Sequence, residues 1–235
     1  NADGDGMLAS LMLRQPGALL ATEDGVIVCD LANSKIRKIR IAAGTSEVLV
    51  DQTNVDMPAG ITLGADGSFF FTDLGNQQVK RLSGSSVSVV AGHKVPQEAA
   101  PTQDQGVMAS MRAPYGIAAD GLSMDLYVSD VLDNKIRKIT RLTGIVEFFA
   151  GSGQAAFQDG EHSTAAFHHP MGVAIEGRSL YVADSKNHAV RIVKISDGSV
   201  TTLVGTGERG STDGGKAEAR LDAPVSILVK DEMVF

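Results

Sequence analysis

The amino-acid sequence predicts an all-β fold built from repeated four-stranded units, on three observations. One segment recurs four times, a proline-containing marker precedes each copy, and the apolar residues stand in short runs separated by glycine-rich turns. Short apolar runs that end at turn residues are typical of strands, because helices need longer periodic stretches. The repetition itself indicates a repeat architecture rather than an ordinary globular domain.

The recurring segment is an apolar run that ends in aspartate and leads into a run containing Ile-Arg or a related pair. Its copies span 26–39, 69–82, 126–139 and 180–192. The marker reads Pro-x-Gly-Ile/Val at Pro58, Pro114 and Pro170, with looser forms at Pro16 and Pro224. These prolines are 42, 56, 56 and 54 residues apart, which is the length of a four-stranded blade plus a variable connector.

We predict a single repeat domain over residues 1–235. Its repeats cover approximately 16–50, 58–92, 114–151 and 170–205, with a partial repeat at 224–235. Each complete repeat supplies four strands, named a to d in chain order. One such sheet cannot bury both of its faces, so the units should stack around an axis as the blades of a β-propeller.

Aspartate and asparagine recur where strand b turns into strand c. Such side chains accept hydrogen bonds from nearby backbone N–H groups, so we expect them to close these turns rather than to catalyse. The predicted turn residues are Asp30, Asn33, Asp73, Asn76, Asp130, Asn134, Asp184 and Asn187. The basic residues of strand c alternate with Ile and Val, which predicts a solvated strand face.

This order of motifs resembles the NHL repeat over nearly the whole chain. The resemblance implies a propeller, commonly six-bladed, whose ligand face is formed by the connectors and the b–c turns. The connectors at 150–170 and 204–224 resemble a long form with several glycines, whereas the one at 50–58 lacks these glycine motifs. Residues 224–235 are expected to begin a fifth blade, with the rest of the ring outside this segment.

The composition of the chain limits the classes of partner that are expected. The formal net charge is −7 and several connectors carry acids, such as Asp3, Asp5 and Asp159, so nucleic acid is not an expected partner. No run approaches the ~20 apolar residues of a membrane span, so membrane insertion by this segment is not expected. The five histidines lie in connectors or in a b–c turn, and neither a metal nor a cofactor is predicted. The single cysteine, Cys29, is expected to be a buried strand residue.

The sequence favours a non-catalytic binding or sensor module that recognises a protein, peptide or small-molecule ligand on the connector face. The candidate contact residues are Arg112, Tyr115, Phe167, His169, Met171 and His188. For Phe167 and Met171, packing between blades is an equally good interpretation. The alternative function is a propeller lyase or hydrolase of the amidating-lyase or lactonase type. Unpaired edges at the two ends of the arc would also favour edge-mediated association.

Overall fold

The four complete repeats form four antiparallel sheets in a computed structural model that describes residues 6–7, 11–94, 104–231 and 233–235. Blade one contains β2 (Pro16–Thr22), β3 (Gly25–Asp30), β4 (Lys35–Arg40) and β5 (Thr45–Val50), with the short β1 (Gly6–Met7) added outside β5. Blade two contains β6 (Pro58–Leu63), β7 (Phe69–Asp73), β8 (Gln78–Ser83) and β9 (Ser86–Ala91).

Blades three and four repeat this arrangement. Blade three contains β11 (Pro114–Ala119), β12 (Leu126–Asp130), β13 (Lys135–Ile139) and β14 (Ile145–Ala150), with β10 (Asp104–Gln105) added outside β14. Blade four contains β15 (Pro170–Glu176), β16 (Ser179–Asp184), β17 (Ala189–Lys194) and β18 (Val200–Val204). The all-β propeller predicted from the sequence is thus confirmed, with four blades of four strands.

Two short strands follow blade four. They are β19 (Val229–Lys230) and β20 (Met233–Val234), which pair with each other. The Gly172 N–H of β15 donates to the Val225 carbonyl, at an N–O distance of 3.0 Å. The fifth blade and the six-bladed ring stay predictions. The predicted acidic connector residues Asp3 and Asp5 lie outside the described residues.

The first strand of each blade lies beside the axis, and the marker glycine sets how close neighbouring strands come. A Cβ at Gly60 would overlap the carbonyl oxygen of Tyr115, and one at Gly116 would overlap that of Met171. Hydroxyl groups bridge the same junctions. Thr72 accepts from the Gly60 N–H at 2.8 Å and donates to the Tyr115 carbonyl at 2.6 Å. Inter-blade contact therefore requires a residue without a side chain at this point of the marker.

Apolar clusters fill the spaces between adjacent blades. Ile36 of blade one and Phe71 of blade two belong to one cluster, Phe70 of blade two and Leu126 of blade three to a second, and Tyr127 of blade three and Val182 of blade four to a third. Cys29 is fully buried, as expected, and burial raises the pKa of its thiol to about 12. A thiol held protonated in this way is a structural rather than a reactive group.

The predicted contact of the strand-b aspartates with backbone N–H groups of their own b–c turns is not observed. Each turn is a three-residue 3-10 helix whose N–H groups receive no hydrogen bond from the preceding aspartate side chain. The backbone closes the turn instead, as in the bond from Ser34 N–H to the Leu31 carbonyl. In three of the turns the aspartate carboxylate accepts a hydrogen bond from the side-chain amide of the turn asparagine, at 2.8–3.0 Å for Asn33, Asn76 and Asn187. Its other partners are described in the next subsection.

The left-handed residue of the turn follows the predicted asparagine position. It is Ser34, Gln77, Asn134 or His188 in blades one to four. Asn134 is therefore equivalent to Ser34 and not to Asn33, contrary to the prediction. Asp133 occupies the place that Asn33, Asn76 and Asn187 hold in the other repeats. Within the described part of the chain, no helix is long and apolar enough to cross a membrane.

Gly116→Ala should lower the free energy of unfolding by about 1–3 kcal/mol, the usual cost of overpacking a filled interior. The added methyl group would overlap the Met171 carbonyl, which is backbone and cannot rotate away. Urea unfolding followed by circular dichroism measures the change. Gly121→Ala is the control, since nothing lies within 4 Å of its Cβ position, and it should change stability by less than about 0.5 kcal/mol. Equal effects would contradict this account of the marker.

Candidate functional site

The connectors and the b–c turns share one face of the blades, which we call the connector face. Strand a begins at the marker proline and strand b ends at the aspartate paired with it, as in Pro114–Asp130 and Pro170–Asp184. The chain therefore enters each blade and turns from b to c on the same side. This arrangement collects the connectors and the b–c turns of all repeats on one face, and loops held by a rigid scaffold are a usual location of binding residues.

A buried carboxylate ties each connector to its blade. Asp30, Asp73, Asp130 and Asp184 have no exposed surface. Each accepts the backbone N–H of the residue two positions before the marker proline, namely Arg14, Asp56, Arg112 and His168, at 2.8–3.1 Å. The aspartate thus fixes where the connector ends and strand a begins.

The same carboxylates pair with a buried cation on strand c. The nitrogen–oxygen distances are 2.7 Å for Arg37–Asp30, 2.6 Å for Lys80–Asp73, 3.3 Å for Arg137–Asp130 and 2.7 Å for Arg191–Asp184. The prediction of a solvated basic face is therefore wrong, because the three arginines are at most 1% exposed. Each pair is seven residues apart, and this constant Asp-to-cation spacing was the signal available in the sequence.

Burial of these pairs shifts their proton affinities. Loss of solvation raises the pKa of Asp184 despite its bonds to the His168 N–H, Asn187 and Arg191. Loss of solvation also lowers the pKa of Arg137, against the opposing effect of Asp130 and Asp133. A buried pair of this kind stays ionised only because each partner compensates the other, and its N–H and carbonyl partners complete the compensation.

Two of the predicted contact residues, His169 and His188, hold neighbouring segments together. The backbone N–H of His169 donates to Asn134 Oδ1 of blade three at 3.0 Å, and His188 Nδ1 accepts from the Ala223 N–H at 3.0 Å. Burial lowers the pKa of His169, with Lys186 and His168 adding to the effect. The described residues contain no group of three side chains that could hold a metal ion.

Phe167 is fully buried, so its assignment as an exposed contact is wrong. Its ring packs in the cluster between blades three and four and lies 5.4 Å from the Arg191 guanidinium. Met171 is half-buried, and its carbonyl oxygen accepts from the Ser129 hydroxyl. Arg112 is also half-buried, and its backbone N–H binds Asp130. The apolar side chain of Phe167 in the connector therefore indicates packing between blades and not a ligand contact.

Tyr115 lines a cavity of about 210 Å³ on the axis. The walls are the first strands of the four blades together with Val225, Ser226 and Ile227, and the phenol is the one ionisable group among these lining residues. Loss of solvation raises the pKa of Tyr115. The cavity therefore presents apolar surface, backbone groups and a neutral phenol.

A larger cavity of about 520 Å³ lies over blade two and was not predicted. The short connector 51–57 forms one wall, and Lys80, Asn76 and residues 87–89 form the others. The available signals were the 42-residue proline spacing and a lysine where the other repeats have arginine. This cavity distinguishes blade two from the other blades, and the shared fold alone does not explain the difference.

Comparison with known proteins supports the repeat assignment. No family model matches the chain. NHL repeat-containing protein 2 from Bos taurus is 28% identical over 158 residues, which is 62% of this chain and 22% of that protein. This similarity supports the assignment of the repeats to the NHL-repeat β-propeller family. Protein SUPPRESSOR OF QUENCHING 1, chloroplastic, from Arabidopsis thaliana is 38% identical over 103 residues, or 43% of this chain and 10% of that protein. The chain thus spans less than a quarter of the length of either relative.

Solved structures share the fold of this chain at low sequence identity. An auxiliary nutrient binding protein from Bacteroides thetaiotaomicron superimposes with a TM-score of 0.75 and 17% identity, over 94% of this chain and 55% of that one. A virginiamycin B lyase from Staphylococcus aureus, solved with quinupristin, gives 0.59 and 19%, over 91% and 59%. These likenesses concern the fold alone.

Asp130→Asn should lower the free energy of unfolding by about 3 kcal/mol, because it removes the nearer of the two carboxylates that pair with the buried Arg137 guanidinium, at 3.3 Å against 3.6 Å for Asp133. Adding Arg137→Met should recover part of the loss. Asp222→Asn is the control, since its pair with Arg209 is exposed and should contribute less than about 1 kcal/mol. Urea unfolding of the three variants measures the differences. A single Asp130→Asn variant as stable as the control would show that the buried pair is not a major constraint.

Proposed function

We propose that this NHL propeller is a non-catalytic binding module whose ligand occupies the axial cavity beside Tyr115. The observation that carries the proposal is the chemistry of the lining, which offers apolar surface, backbone N–H and carbonyl groups and one neutral phenol. Such a set binds and orients a ligand but holds no general acid and base for bond cleavage at neutral pH.

The repeated contacts of the strand-b aspartates also support a non-catalytic role for these residues. Each strand-b aspartate is already engaged by a backbone N–H and a buried cation, as Asp73 is by the Asp56 N–H and Lys80. A carboxylate held in this way is not free to accept a substrate proton or to coordinate a metal. The lyase or hydrolase reading would need reactive groups from elsewhere on the connector face.

The ligand that fits is a small molecule or the end of a peptide. A volume of about 210 Å³ admits a group of a few heavy atoms or one large side chain rather than a folded surface. The nutrient binding named for the Bacteroides protein is compatible with such a cavity. We therefore propose an apolar ligand group that stacks on the Tyr115 ring.

We further propose that residues 224–235 begin a fifth blade of a six-bladed ring. Pro224 follows Pro170 by nearly the same interval as the other long repeats. The bond from Gly172 to Val225 and the contact of β15 with β19 resemble the junctions between complete blades. Further blades would close the axial cavity on its open side and complete the ligand site.

Tyr115→Ala should weaken ligand binding by at least about tenfold, since an aromatic anchor in a cavity typically contributes more than 1 kcal/mol. Saturation-transfer NMR against a panel of short peptides and small sugars identifies ligands, and titration measures their affinities. Leu142→Ala is the control, because Leu142 is 83% exposed and lies in a c–d turn away from the connector face. Ligands that bind both variants equally well would place the site elsewhere. Breakdown products in mass spectra would instead support the lyase or hydrolase alternative.

A further inference from the structure

The connector that precedes a blade also covers the outer edge of that blade, in three blades of the four. In blade one, Gly6 pairs with Ser46 of β5. In blade three, Asp104 pairs with Val146 of β14. In blade four, Gly160 and Val200 of β18 exchange two backbone hydrogen bonds of 3.0 and 2.8 Å. Each long connector therefore adds a fifth strand position to its blade.

The three covered residues occupy one register. Ser46, Val146 and Val200 lie opposite Ile39, Ile139 and Val193, each of which follows the buried arginine of strand c by two positions. The covered residues are at most 4% exposed. The outer pairing is therefore a repeated structural feature with a fixed position rather than a chance contact of one loop.

Blade two differs at this position. The equivalent residue is Val87 of β9, which lies opposite Leu82, two positions after Lys80. Among the described residues no segment pairs with the outer edge of β9, since the preceding connector spans only 51–57. Val87 is half-exposed and Val89 is 38% exposed. An uncovered edge strand presents N–H and carbonyl groups that can pair with another chain.

Blade four shows which side chains cover the outer edge of the last strand when the connector is long. Its connector lays the Phe157 ring 5.0 Å from the Arg191 guanidinium. Asp159, two residues after Phe157, accepts hydrogen bonds from the Arg191 guanidinium at 2.8 Å and from the Thr202 N–H at 3.0 Å. In blade two the matching groups are Lys80 and the Val89 N–H, and the place of the connector is taken by the cavity of about 520 Å³.

We propose that the outer edge of β9 binds an extended peptide of a partner protein, which adds to blade two as an antiparallel fifth strand. An acidic residue of the peptide faces Lys80 and the Val89 N–H, and a neighbouring aromatic residue enters the large cavity. Strand addition of this type takes its affinity from backbone hydrogen bonds and its specificity from the side-chain pocket. The site is at the rim of the propeller and does not depend on the axial cavity or its ligand.

The probe for the test is a synthetic peptide with the sequence of residues 154–162, Gln-Ala-Ala-Phe-Gln-Asp-Gly-Glu-His. It contains the aromatic, the acid and the glycine that cover blade four. Titration into the complete ¹⁵N-labelled chain should give saturable one-site binding. The largest amide shifts are expected at Lys80, Val87 and Val89.

Two changes define the mode of binding. Val87→Pro removes the N–H that points outward, by equivalence with Val200, and should weaken the peptide by at least about tenfold. Val87→Thr retains this N–H and is the matched control, with affinity within about threefold of the wild type. Replacing the peptide aspartate with asparagine should weaken binding about tenfold, since a charge-assisted bond to Lys80 is lost. Thermal unfolding checks that each variant is folded.

Four results would overturn the proposal. The first is the absence of saturable binding at millimolar peptide. The second is equal affinity for the proline and threonine variants. The third is a set of shifts confined to blade four, which would mean that the peptide only displaces the chain's own connector. Concentration-dependent dimerisation that Val87→Pro abolishes would assign the edge to a second copy of the chain and would also overturn it.

Discussion

The buried aspartate at the end of strand b is the constraint on which the other features of this propeller depend. Its carboxylate binds the connector through a backbone N–H and binds strand c through Arg37, Lys80, Arg137 or Arg191. Removing two charges from water costs several kcal/mol per ion, so the arrangement persists only when both partners and their hydrogen bonds are present. One residue per repeat thus determines turn, connector and strand together.

This constraint fixes the inner end of every connector and leaves its length free. Long connectors extend outward and cover the edge of the following blade, as Gly160 does at Val200. The short connector 51–57 leaves Val87 partly exposed beside a cavity. Variation in connector length therefore leaves the axial cavity common to all blades. It makes the outer rim of blade two different from the rims of the other blades.

The repeat, the strands and the propeller were predictable because their signals are local, as in the alternation around Asp30 or the marker at Pro58. The partners of the aspartates were not, because the sequence around a turn does not show that Asp30 also accepts a hydrogen bond from the distant Arg14 N–H. The alternation of Arg137 with isoleucines indicates a strand. It does not indicate that the face of the strand that carries Arg137 is buried. For the same reason, the sequence left the burial of Phe167 open.

Hydrogen exchange at the connector amides tests the central role of the buried carboxylates most directly. The N–H groups of Asp56, Arg112 and His168 lie outside strands and 3-10 turns, yet each donates to a buried aspartate. The account predicts that they exchange slowly, with protection close to that of the central strands, because opening them exposes an uncompensated buried charge. Exchange as fast as that of the neighbouring exposed amides would contradict it.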